Sequence, residues 1–140
     1  RCHTPIGTGH TPHIGDEGAL ILVKLHQFDE NDLLQLAIPA HRLPWQPDRR
    51  PGITYKMLHT YQSERISLER WECDIVTDYP ALPGGLELFV LEGSLCDADT
   101  EYPEGSWCRY PPGAAPRLRA GQAGVMMYVK RGHLSDASDD

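Results

Sequence analysis

Residues 84–130 alternate short apolar runs with Gly- and Pro-bearing breaks, and this stretch sets the pattern for the chain. Residues 86–91 (LELFVL) lie between Gly84-Gly85 and Glu92-Gly93-Ser94, which predicts a strand closed by a turn. Tyr102-Pro103-Glu104-Gly105 predicts a second turn, residues 106–110 a short aromatic strand, and Pro111-Pro112-Gly113 its end. Residues 125–130 form another β-rich run after Gly124. Short strands punctuated in this way predict an all-β domain, an antiparallel sandwich or barrel.

Upstream, residues 19–25 (ALILVKL) form the most apolar run and predict a strand covered on both faces or placed at a subunit contact. A brief strand is predicted at 36–38, and a single helical turn is one reading of 29–36. Pro44, Pro47 and Pro51 make 41–52 an irregular connection. Residues 53–61 predict a strand with Tyr55 and Met57 on one face, followed by a turn at Gln62-Ser63-Glu64. Residues 66–73 predict another strand. Its two faces read Ile66, Leu68, Arg70, Glu72 and Ser67, Glu69, Trp71, Cys73. Neither is cleanly apolar, so one of them is expected to line a partly polar cavity.

The first 18 residues are too rich in His, Thr, Gly and Pro for a regular element, and residues 135–140 read as a frayed acidic tail. An internal echo links 7–25 to 111–130: Gly18 aligns with Gly124, and Val23-Lys24 with Val129-Lys130. The expected division is a terminal piece of one module at 1–36, a complete domain at 37–134 and the tail at 135–140.

Composition narrows the function. There are 13 basic and 20 acidic residues in 140, a formal charge of −7, which argues against a nucleic-acid partner because phosphate binding needs a concentrated basic face. No apolar run approaches the roughly 20 residues that cross a bilayer, so no membrane role is expected. The four cysteines form no CxxC pair, and reduced thiols in a cytoplasmic protein are the expectation. Cys73, Cys96 and Cys108 have no adjacent His to activate them as nucleophiles, and structural thiols are expected there.

The motifs Trp45 with Pro47, Pro51-Gly52 with Lys56 and Leu58, Gly84-Gly85, Val90-Leu91-Glu92-Gly93-Ser94, Tyr102-Pro103-x-Gly105-Ser106 and Arg109-x-Pro111-Pro112-Gly113 together resemble a cupin. More narrowly, they resemble the cupin domain of the zinc-binding anti-sigma factors called ChrR and of their small dioxygenase-like relatives. The resemblance implies an antiparallel jelly-roll barrel. It also implies a divalent metal on an HxH pair, a carboxylate four residues further on and a late histidine, a set that suits Zn or Fe.

In this sequence those four positions fall on Pro80, Leu82, Leu86 and Pro116. Proline and leucine side chains carry no lone pair, so no cofactor is expected in the complete domain. His10, in GTGHTP, falls where the resemblance puts the late ligand of a preceding cupin. It would hold Zn or Fe there only with ligands from outside this chain. A loose cluster of His3, His10 and His13 is the other place a metal could gather.

The remaining candidates line the expected cavity: Tyr55, Met57, Arg70, Leu82, Leu86, Trp107, Pro116 and Tyr128. Glu87 is one residue off the carboxylate position and is expected to face solvent. The functional expectation is a metal-free structural or small-molecule-sensing module that takes a small apolar ligand or a protein partner and forms a homodimer. The alternative is the inactive half of a two-cupin, metal-dependent dioxygenase-like enzyme.

Overall fold

The computed structural model describes residues 2–4, 7–9, 11–24 and 31–134, with the backbone alone at Cys2 and His3. The chain divides into two compact units, Arg1–Pro39 and Ala40–Asp140.

In the first unit β1 (Cys2–His3) pairs antiparallel with β2 (Leu36–Ala37), so the brief strand expected at 36–38 is present. Residues 19–24 are not a strand: they carry no regular structure, and Leu20, Ile21, Leu22 and Val23 are exposed. Leu25 lies outside the described residues. The run has strand composition, but a ladder needs a partner, and a continuous apolar stretch names no face to bury. Residues 31–35 contain no helix.

The second unit is built of β3 (Gln46–Pro47), β4 (Ile53–Tyr61), β5 (Glu64–Trp71), β6 (Val76–Asp78), β7 (Leu86–Asp97), β8 (Thr100–Pro103), β9 (Trp107–Tyr110) and β10 (Arg117–Arg131), after a short 3₁₀ turn at Ala40–Arg42. They form one antiparallel sheet in the order β3-β4-β5-β10-β7-β8, with β6 also on β10 and β9 also on β7. The all-β, antiparallel expectation holds. The jelly-roll barrel does not: the sheet is open, with β3 and β8 as unjoined ends. Closure would require those ends to pair, and both are short and carry a proline, Pro47 and Pro103, which has no N–H to give a neighbouring strand.

Two strands run further than their sequence suggests. The predicted turn at Glu92-Gly93-Ser94 is crossed by β7, and β10 begins at Arg117, well before the expected start at Val125. The β7–β10 register shifts between Ala120 and Val125, where Gly93 (φ 76°) meets Gly124 (φ 77°). A Cβ on Gly93 would run into the Gly124 carbonyl oxygen. These glycines therefore permit a close irregular crossing within the ladder and do not end it.

One face of this sheet holds the core: Ile53, Trp71, Leu86, Leu88, Val90, Leu95, Leu118, Ala120, Val125, Met127 and Val129. Burying each large member is worth about 1.5–3 kcal/mol. Strand alternation puts Ser67 and Glu69 on the same face as Trp71, so a carboxylate points into this core.

Candidate functional site

The segment after β6 and the loop before β10 are joined by backbone hydrogen bonds. Tyr79 N donates to Pro116 O (2.9 Å), Leu82 N to Ala114 O (3.3 Å) and Gly113 N to Leu82 O (2.9 Å). Leu86 is wholly buried in the core, and Leu82 packs against that cluster. The structure thus holds Leu82 and Pro116 on two joined segments, with Leu82 packed on the cluster that contains Leu86 and with Pro80 exposed. These side chains do not fit a metal, because none offers a donor atom. Among the described residues no group of three or more His, Cys, Asp or Glu could hold a metal ion. His10 lies outside the described residues, and His13 is exposed.

Next to this junction is a buried ionic cluster centred on Glu69, which is fully buried. Its Oε2 accepts from Trp71 Nε1 (2.9 Å) and Arg50 Nη2 (3.3 Å), and its Oε1 accepts from Arg131 Nη2 (3.2 Å). Arg50 also forms a fork on Asp48, with Nε on Oδ1 at 2.8 Å and Nη2 on Oδ2 at 3.0 Å. That fork holds the Asp48 carboxyl below its ordinary value against the opposing effect of burial. The Arg50 guanidinium stands 5.8 Å and 5.5 Å from the ring centres of Trp71 and Tyr79, which stack on each other.

Tyr79 is buried, and desolvation, reinforced by the Glu69 charge, drives its phenol well above the ordinary value. Arg50 is near enough to favour the ionised hydroxyl but makes no aligned hydrogen bond with it. The cluster joins the turn before β4, the middle of β5 and the end of β10.

The opposite face carries a second set of charges. His133 Nε2 lies 2.9 Å from Glu87 Oε2, an ion-pair separation without the alignment of a hydrogen bond. Arg109 Nε is 3.9 Å from Glu87 Oε1. Glu87 is therefore on the face opposite Leu86, as its offset requires, but it is buried there and not solvated. Lys130, wholly buried, pairs with Glu64 at 3.0 Å. Trp45 lies under both Arg70 (4.2 Å) and Lys56 (4.7 Å).

The predicted cavity residues divide between these faces. Tyr55, Met57 and Leu86 lie on the core face, Leu82 and Pro116 at the loop junction, and Arg70, Trp107 and Tyr128 on the opposite face. Arg70 there borders an open hollow of about 270 Å³ with Glu72, Glu92 and Met126. Arg50, Asp48, Tyr79 and Arg131 are not among the residues predicted from the sequence. The available signal was Glu69 sharing a strand face with Trp71. Cys96 and Cys108 are buried, and burial raises the Cys108 thiol, which suits a packed thiol and not a nucleophile.

Residues 35–135 match a family model described as the ChrR cupin-like domain. Among solved structures, the chain is similar to Rhodobacter sphaeroides SigE in complex with the anti-sigma ChrR. The TM-score is 0.58 at 14% identity, over 65% of this chain and 50% of that one. An RmlC-like cupin protein from Ralstonia eutropha gives a TM-score of 0.59 at 14% identity, over 74% of each chain. A protein of unknown function with a cupin-like fold, also from Ralstonia eutropha, gives 0.53 at 9% identity over 57% of this chain and 54% of that one. The chain thus spans about half the length of two of these three. No curated protein matches. Identities this low speak to fold alone.

Proposed function

Because this chain belongs to the ChrR cupin-like domain family, and carries Pro80, Leu82, Leu86 and Pro116 where its resemblance to a cupin implies metal ligands, we propose that it is a non-catalytic cupin module that works without a metal. Its role is structural or sensory. The observation that supports this reading is the absence, among the described residues, of any group of three or more His, Cys, Asp or Glu that could hold a metal ion, together with the apolar packing of Leu82 and Leu86. A sensory role adds a small, largely apolar ligand taken into the interior. A homodimer and a protein partner complete the reading. The anti-sigma relationship supplies the analogy for sensing, at the level of fold.

The test is metal analysis of the purified chain, with thermal unfolding in the presence and absence of a chelator. The expected result is substoichiometric metal and an unchanged midpoint. Stoichiometric metal that survives dialysis would overturn the reading, and its loss on His10→Ala would locate it. A gain-of-site variant checks the positional assignment. P80H/L82H/L86E/P116H should bind Zn²⁺ and be stabilised by it, because the four positions would again carry donors.

A further inference from the structure

On the face opposite the core, the strand registers set side chains in two rows that cross the sheet. In the first, Tyr128 on β10 lies between Phe89 on β7 and Leu68 on β5; Phe89 pairs outward with Trp107 on β9, and Leu68 with Lys56 on β4. In the second, Met126 lies between Arg70 on β5 and Glu92 on β7. Strand alternation points both rows the same way. The face is closed within the chain at Lys130, which is wholly buried, and opens from Tyr128 onward. Phe89, Tyr128, Leu68 and Met126 are half-buried, Arg70 and Glu92 are exposed, and Trp107 is 56% exposed. An aromatic and apolar row rimmed by charge is the composition of a contact surface.

We propose that this face is where a second copy of the chain docks, with a two-fold axis running along β10 and Arg70 of each copy set against Glu92 of the other. The rows are laid out symmetrically about that strand. Counting outward from β10, the first neighbours are β5 and β7, and the second are β4 and β9. A two-fold axis along β10 lays each row on the same row of the second copy, reversed. Tyr128 and Met126 then meet their own counterparts, and Phe89 meets Leu68. Trp107 comes to the Lys56 end, where the Trp45 ring lies 4.7 Å from the Lys56 ammonium. Aligned face-to-face packing of two sheets is an ordinary arrangement.

Charge complementarity names the second copy as the occupant. Within one chain Arg70 and Glu92 stand on either side of Met126, two strand spacings or about 10 Å apart, and the Arg70 guanidinium lies over the Trp45 ring at 4.2 Å. Between two copies the same residues face each other, and the pair occurs twice. The open hollow of about 270 Å³ bordered by Arg70, Glu92 and Met126 gives the second copy's arginine room to reach the carboxylate.

This inference rests on the homodimer named in the function proposed above and assigns its surface. The experiment follows the mass of the full chain by sedimentation equilibrium from about 1 to 100 µM, a span that covers micromolar self-association. The unaltered chain should be dimeric at the upper end. Arg70→Glu and Glu92→Arg each set like charges against each other and should weaken the dimer at least about tenfold. Both residues are exposed, so the thermal midpoints should not move. An equimolar mixture of the two variants restores opposite charges across the contact and should recover the dimer, as should R70E/E92R. Met126→Arg, which sets two cations together on the axis, serves if the Arg70 variant folds poorly. Single variants that associate as tightly as the unaltered chain, or a mixture no more associated than its components, would overturn this face while leaving a homodimer built on another surface. A chain that stays monomeric throughout would overturn both, and neither result depends on metal content.

Discussion

Replacing Glu69 with Gln keeps the shape of the side chain and removes its charge, and the structure fixes what that should cost. The carboxylate receives three donors, from Trp71, Arg50 and Arg131, at 2.9–3.3 Å. Gln offers one acceptor oxygen, and its amide nitrogen would face a donor wherever the second oxygen had been. Two guanidiniums would then share Asp48 alone. Removing one partner of a fully buried ion pair costs about 3–5 kcal/mol. Both arginines reach solvent, which can take up part of the stranded charge, so about 2–3 kcal/mol is expected here.

For a folding unit of this size, that corresponds to a fall in Tm on the order of 10–20 °C. Urea unfolding followed by tryptophan fluorescence is the direct assay, because the buried Trp71 indole donates to the residue being changed. The midpoint should drop with the slope m unchanged. In a double-mutant cycle, E69Q/R131M should cost at least about 1 kcal/mol less than the sum of the single variants. A cost below about 0.5 kcal/mol, or full additivity, would refute the view that this cluster ties β5 to β10.

Three further outcomes follow from the same geometry. Tyr110 donates to Asp97 at 2.7 Å, and burial together with that bond raises its phenol, as burial and the Glu69 charge do at Tyr79. Folded values above the unfolded one give stability that is complete below about pH 10 and is lost as pH rises beyond it, by up to about 1.4 kcal/mol per pH unit for each tyrosine. Alkaline unfolding curves should show this slope, and Tyr110→Phe should flatten it. Gly93→Ala should cost several times the ordinary penalty of about 1 kcal/mol for an unsuitable backbone, because both its φ and the nearby Gly124 carbonyl oppose a Cβ; chemical denaturation measures it. Leu86→Ala, in a wholly buried site, should cost about 2–5 kcal/mol by the same measurement while leaving metal content unchanged.

What could be read in the sequence was local. β4 lies where its composition and flanking turns put it, because Gly52 and Gln62-Ser63 bound a run of β-branched and aromatic residues. β7 and β10 were truncated in the reading because Gly93 and Gly124 look like terminators, whereas their use as a crossing depends on each other, 31 residues apart by number. The barrel was inferred from strand count and resemblance. Closure depends on what the end strands can pair with, and Pro47 and Pro103 sit in them. The Glu69 cluster was not legible, because its arginines lie 19 and 62 residues away and only the fold brings them together.

The same reasoning explains why charge persists in this interior. A cupin with its ligands has an ion near the centre, and its surrounding polar groups are satisfied by that ion. Here the positions where the resemblance implies ligands carry leucine and proline, yet a carboxylate still points inward from β5, and the counter-charge comes from Arg50 and Arg131. Protein cations differ from a metal in one respect that matters. They are fixed to the turn before β4 and the end of β10, so compensating Glu69 also clamps those segments to β5. Hydrophobic replacements of equal volume could supply comparable stability, but they would not supply directional donors.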